Sequence, residues 1–275
     1  MSAYLNQNAQ EKIMRTINFY MVDAFSDRTF GGNAAAVCPL SEWLSDDVML
    51  RMAQQHNQSE TAFFVPKKDG FALRWFTTLG EIDLCGHATL AAAHVIFNHL
   101  EHTLPVIAFD TASGRLTVSR DGDWLTLDFP VDRPRPQTPP ASLMRALGIA
   151  RCQSAHKGRT WLIELASREQ VEAISPDITA MIPGDDDVTV TAPGGENYDF
   201  VSRFFSPGEA VWEDPVTGSA HTMLIPYWAE KLAKNQMLAR QVSARGGDIR
   251  CELKGSRVLM SGQAKTYIVG KLMLD

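Results

Sequence analysis

The chain has 275 residues, 45% of them hydrophobic and 21% charged, with a formal net charge of -6. That length supports one large core or two modest ones, and the lack of a positive field excludes the electrostatic footprint on which phosphate-backbone binding depends. No run approaches the roughly 18 consecutive apolar residues of a membrane span, and the first residues lack the apolar stretch of a signal peptide, so the expectation is a soluble cytoplasmic protein with neither nucleic acid nor membrane as partner.

Residues 1–14 are polar and carry a second methionine, Met14, directly before the first strand-like run; they are set outside the expected fold. Ile17 to Phe25 reads as a buried strand, and Gly31-Gly32-Asn33 turns the chain into a second short run, Ala34 to Val37. Ser45 is placed as an N-cap, with Asp46 and Asp47 in the first turn of a helix that shows Val48, Met49, Met52 and Ala53 on one face and ends near His56-Asn57. Thr61 to Val65 and Phe71 to Thr77 flank Lys68-Asp69-Gly70 as a hairpin, which sets Glu60 at the entrance to a strand.

From Cys85 onward, Ala88, Leu90 to Ala93 and Val95 to Phe97 are apolar on nearly every side, the pattern of an enclosed helix. Strand runs follow at Val106 to Phe109, Arg115 to Ser119 and Trp124 to Phe129. Pro130 to Pro140 then reads as an extended linker, because its five prolines remove too many amide donors for a helix or a sheet interior. It divides an N-terminal domain, 15–129, completed by a strand from about 263–275, from a C-terminal domain, 130–262. The second domain carries a helix around Ser142 to Leu147, strands at Thr160 to Leu165, Val188 to Thr191 and Tyr198 to Phe205, and a second apolar helix from about Gly218 to Leu232.

The two halves share a plan of strands, a Gly-containing loop, an apolar helix and more strands. Cys85-Gly86-His87-Ala88 falls in register with Thr217-Gly218-Ser219-Ala220. A helix start offers free amide N–H groups and the positive end of a dipole, so two such starts facing across a cleft form a cradle for a small anion. Cys38, Cys152 and Cys251 show no ligand spacing and are expected as free thiols, and no metal or cofactor site is read from the chain.

Taken together, five motifs resemble the PhzF (phenazine-biosynthesis-like) family over roughly Ile17 to Leu274: VDAF with Gly32-Asn33 and AAAV; Ser59-Glu60-Thr61-Ala62-Phe63; Arg74-Trp75-Phe76-Thr77; Asp83 to Thr89; and Glu213 to Ala220. The resemblance implies an α+β, diaminopimelate-epimerase-like fold: two similar domains, each a curled antiparallel sheet or barrel around a central helix, with the site between them. It implies a cofactor-independent isomerase that shifts a proton between carbons of a small carboxylate-bearing substrate. Matched motif by motif, Glu60 is the general acid/base, and His87, Asp214 and Ser219 take the family's histidine, aspartate and serine positions. A carboxylate enclosed by Phe63, Trp75 or Phe76 suits that exchange. Substrate binding is expected at Gly86, His87, Gly218 and Ser219, whose amides would hold a carboxylate.

Epimerases of this fold use one cysteine from each domain. Cys85 matches the first position but Pro215 occupies the second, so a thiol pair is excluded and Cys85 is expected as a buried loop thiol. Thr78 stands where the family usually has proline, and Gly80 to Asp83 depart from its usual loop, which leaves substrate identity open. Asp214-Pro-Val-Thr-Gly lacks the strand and acidic partners of an aspartyl-phosphate enzyme, and Thr217 to His221 is not a nucleophile elbow. The alternatives kept are a non-catalytic anion-binding protein on this fold and an amino-acid epimerase-like enzyme. A homodimer is expected on general grounds.

Overall fold

The computed structural model describes residues 15–177, 179–181, 187–207 and 212–275. The opening segment, 1–14, lies outside them. Strands β1 (Arg15–Ala24) and β2 (Asn33–Pro39) pair antiparallel. Between them Gly32 sits at φ 60°, where an added Cβ would lie 2.0 Å from the Ala24 carbonyl oxygen, so only glycine closes this turn.

Helix α1 (Asp46–His56) begins where its acidic first turn predicts, but Ser45 makes no side-chain cap bond, leaving the two aspartates to meet the helix dipole. Met49, Met52 and Ala53 pack with Phe63 and Phe76, whose rings meet edge-on at 5.7 Å. The hairpin is β3 (Thr61–Lys67) with β4 (Gly70–Phe76), and β4 also carries the short β5 (Glu81–Ile82). Then come α2 (Gly86–His99), β6 (Val106–Thr111), β7 (Gly114–Asp121) and β8 (Trp124–Pro130).

The second half repeats the series. It contains β9 (Arg135–Pro136), α3 (Ala141–Ala146), β10 (Ser154–Lys157), β11 (Trp161–Glu164), α4 (Arg168–Glu172), β12 (Val188–Pro193), β13 (Phe200–Phe205), β14 (Glu213–Asp214), α5 (Gly218–Leu232), β15 (Gln236–Gln241), β16 (Gly247–Lys254), β17 (Arg257–Gly262) and β18 (Ala264–Leu274). The proline-rich linker is extended apart from β9, a sheet-edge position that tolerates Pro136.

Followed from edge to edge, the ladder runs β18-β1-β2-β3-β4-β6-β7-β8, crosses to the other half through the β8–β17 pair, and continues β17-β16-β15-β13-β12-β11-β10-β9. Each half thus curls around its own helix, α2 or α5. Each is also completed by the strand that follows the other half's last strand: β18 pairs with β1, and β9 with β10. The expected α+β class stands with one refinement, since β2–β3, β4–β6, β11–β12 and β13–β15 are parallel. In each case a helix lies in the connecting segment, which is the crossover that a parallel pair requires.

Helix α2 is enclosed as its composition demands, with Leu90, Val95 and Ile96 fully buried. Helix α5 packs Trp228 flat against Phe200 and donates its indole N–H to Thr191 Oγ1 at 2.9 Å. Both helices belong to one core, so the halves share their apolar interior, while a smaller cluster under α3 and α4 covers the outer face of β11–β13. Pro226 inside α5 has no N–H, and the Thr222 carbonyl four residues earlier accepts instead from the Asp132 amide at 3.1 Å. Among the described residues no helix is long and apolar enough to cross a membrane.

Candidate active site

The two enclosed helices start against one another. A Cβ added to Gly86 would lie 3.0 Å from the Gly218 Cα, and the reverse substitution meets the same obstacle, so a side chain at either position crowds the backbone of the opposite helix. The first-turn N–H groups of α2 and α5 have no intrahelical acceptor, and their dipoles bring two positive ends to one place.

Beside this junction lies a cavity of about 210 Å³. It receives Glu60 from the entrance of β3, Asp214 from β14, and Thr217 and Ser219 from the start of α5. At about 30 Å³ per water it holds the equivalent of about seven waters, room for an amino-acid-sized molecule.

His87, on the first turn of α2, stands behind Glu60 rather than on the cavity wall. Its Nε2 is 3.1 Å from Glu60 Oε2, and its Nδ1 is 3.5 Å from Cys85 Sγ. Burial works to lower the His87 pKa, but the neighbouring Cys85 sulfur and Glu60 carboxylate outweigh it and leave the imidazole raised well above its ordinary range. Neither Glu60 Oε2 nor His87 Nε2 has an aligned hydrogen-bond partner among the described residues, so the pair is held by proximity of charge and keeps bonding capacity for a ligand.

Asp214 is fixed from several sides. Asn33 Nδ2 donates to its Oδ1 at 2.6 Å, Thr217 Oγ1 donates to its Oδ2 at 2.6 Å, and Gln241 Nε2 donates to its main-chain oxygen at 2.6 Å. Next to it, Arg203 clamps Glu213 with two bonds of 2.7 and 2.9 Å, which pins β14. Burial pushes the Asp214 carboxyl up to about 6; His87 opposes that shift, Glu60 adds to it, and the bonds from Thr217 and Asn33 oppose it.

Of the expected residues, Glu60, Asp214 and Ser219 line the cavity, His87 reaches it through Glu60, and Gly86 and Gly218 form the junction beneath. The expected aromatic enclosure of Glu60 is corrected. Phe63 and Phe76 turn into the α1 cluster and Trp75 into the central core, because alternation along β3 and β4 points them away; Ile82, Leu84 and Phe204 supply the apolar lining. Asn33 and Gln241, which hold Asp214 from 181 and 27 positions away, carry no signal as site residues by spacing alone.

Cys85 sits at the N-cap position of α2 with its thiol pushed up to about 11, first by burial and then by Glu60. It is therefore a neutral thiol near pH 7. Glu60, Cys85 and His87 place their ligating atoms within 4.8 Å of one another, but a metal there would have to displace the protons that the thiol and the imidazole retain.

Residues 22–270 match the family model described as phenazine biosynthesis-like protein. The chain is 46% identical over 260 residues to an uncharacterized isomerase of Pseudomonas aeruginosa, covering 94% of this chain and 99% of that one. Among solved structures, a PhzF-family phenazine biosynthesis protein of Enterococcus faecalis superimposes with a TM-score of 0.90 at 42% identity, covering 94% of this chain and 100% of the other. A hydroxyproline epimerase of Agrobacterium vitis shares the fold alone, with a TM-score of 0.58 at 15% identity, covering 95% of this chain and 93% of that one. With two helix starts abutting at paired glycines and an acid–imidazole pair beside them, the chain belongs to the PhzC-PhzF family of phenazine biosynthesis-like proteins and is an isomerase.

Proposed function

We propose that the protein moves a proton between carbons of a small carboxylate-bearing molecule without a cofactor, with Glu60 as the group that takes the proton and returns it. The observation that carries this reading is the Glu60–His87 pair, 3.1 Å apart, with Glu60 on the wall of a cavity beside which two helix starts converge. The substrate carboxylate lies over the amides at Gly86-His87 and Gly218-Ser219. There it withdraws the electron pair left when Glu60 removes a carbon-bound proton, and Glu60, after exchange with solvent, delivers a proton to a second carbon. His87, 3.1 Å away, holds Glu60 in place. Asp214 and Ser219 bond polar groups of the substrate, and Asp214, titrating near 6, exchanges a proton with them at working pH.

The two-thiol epimerase reading finds no support. Pro215 stands at the second position, none of Cys38, Cys152 or Cys251 lines the cavity, and Cys85 holds its proton. A binding protein without turnover is separated from the enzyme by proton NMR of pooled small carboxylates, dihydro-hydroxyanthranilate among them, in deuterium oxide. The enzyme erases one carbon-bound proton signal with wild-type protein and not with Glu60→Gln. Exchange that continues undiminished in Glu60→Gln removes Glu60 from the mechanism.

A further inference from the structure

The cavity wall is strongly acidic. Glu60, Asp83, Asp187 and Asp214 line it, and among the described lining residues Arg159 is the sole cation. The two helix starts provide partial positive charge at one end, but an anion approaching four carboxyl groups meets repulsion everywhere else. Arg159 belongs to the turn between β10 and β11, in the half of the molecule that does not carry Glu60.

Its backbone is held firmly while its side chain is left unengaged. The Arg159 amide donates to Asp132 Oδ2 at 2.9 Å, and Gly158 donates to the Thr160 carbonyl at 3.1 Å. Asp132 is itself tied to α5 through the Thr222 carbonyl that Pro226 leaves free. Gly158 presses so closely on α5 that an added Cβ would lie 2.7 Å from Met223 Sδ and 2.9 Å from Asp132 Oδ2. The guanidinium, by contrast, has no hydrogen bond or ion pair among the described residues, unlike Arg74, Arg203, Arg245 and Arg257, each of which is committed to a carboxylate. A rigid turn that presents an exposed arginine at an acidic cavity has the form of a ligand anchor, because a guanidinium takes a carboxylate or phosphate through two parallel bonds.

We propose that Arg159 binds a second anionic group of the substrate, distant from the carboxylate held at the helix starts, so that the protein acts on dianionic small molecules. The inference rests on the carboxylate site of the proposed function and adds the class of substrate that site accepts. Arg159 fixes which molecules enter and how they lie across the cavity; it takes no part in the proton transfer.

The test uses simple probes. Dissociation constants of the wild-type protein are measured by calorimetry for valerate, for glutarate, and for the dicarboxylates from malonate to adipate. The wild type prefers one dicarboxylate over valerate by about tenfold or more, and the chain length of the best binder reads the separation of the two anion sites. Arg159→Met collapses that ratio toward one, and Arg159→Lys, which keeps the charge but loses the planar fork, retains part of it. Since Arg159 is exposed, all three proteins should melt alike. A wild type without a dicarboxylate preference overturns the proposal, as does a preference that survives Arg159→Met. Glu60→Gln run beside them separates the two readings: a dicarboxylate preference that this variant keeps leaves the anchor standing, whatever the exchange assay of the pooled carboxylates says of Glu60.

Discussion

The two halves of this protein share a frame and differ in the side chains they bring to the cavity. β3 and β12 are counterparts, each parallel to the strand before it and antiparallel to the strand after it. Glu60 immediately precedes the first and Asp187 the second, so the frame places a carboxylate at the same point in each half, and both line the cavity. Their partners differ. Glu60 faces His87 on the neighbouring helix start, whereas the equivalent helix position holds Ser219, and Asp187 Oδ1 instead accepts from Ser206 at 2.6 Å. The repeated frame supplies the positions, and the side chain at the first turn of each helix decides which carboxylate meets an imidazole.

The sharpest way to break this comparison is to neutralise each carboxylate in turn. Glu60→Gln should lower proton exchange by about 10²–10⁴-fold, the range of a lost general base, while Asp187→Asn should cost less than about tenfold. Equal losses, read by exchange rate under identical conditions, would mean that both halves supply a base. A second comparison concerns the junction. Gly86→Ala and Gly218→Ala each force a Cβ to within 3.0 Å of the opposite helix, so each should destabilise the fold by about 1–3 kcal/mol and weaken carboxylate binding. A change confined to one of the two positions, in melting temperature and probe affinity, would show that only one helix start forms the cradle.

A smaller effect separates the two ends of the site by pH. The Asp214 carboxyl rises on folding from an ordinary value of 3.8 to about 6, with burial the leading cause. A raised acid binds its proton more tightly folded than unfolded, so it contributes stability that is present below about 4 and lost as pH rises through about 6. Asp214→Asn, neutral throughout, should therefore gain in melting temperature on the wild type between pH 4 and 7; a difference that stays flat across that range refutes the shift. The least effect is expected at Cys85. Its thiol is protonated near pH 7, so Cys85→Ser should retain exchange within a few-fold, and a loss as deep as that of Glu60→Gln would return the thiol to the mechanism.

Much of the frame was legible because the residues that enclose a helix must be apolar all round. Ala88 to Phe97 and the run after Gly218 announce two central helices, and the glycines before them announce close approach. The ordered motifs likewise pointed to Glu60, His87, Asp214 and Ser219. What stayed hidden has physical reasons. The two-residue strands β5 and β14 are too short to show a period, and β10, SAHK, is half-buried along its whole length and shows no alternation. Asn33 and Gln241 serve Asp214 through contacts that only the folded chain creates, and Phe63, Trp75 and Phe76 were misassigned to the cavity because alternation alone does not say which face of a strand looks inward. Arg159 was missed because an isolated arginine after glycine resembles any surface turn.

The reciprocal completion of the two halves also sets a timetable for the protein's synthesis. β1 leaves the ribosome first among the described strands, yet its partner β18 is the last, and Ala24 waits for Ala264. The first half therefore remains open along one edge until almost the whole chain has emerged, and β17, which joins the halves through β8, appears only shortly before. Glu60 and His87 are translated early, but Asp214 and the second helix start come late. A translation arrest near residue 260 would leave a product with an unpaired β1 edge open to aggregation.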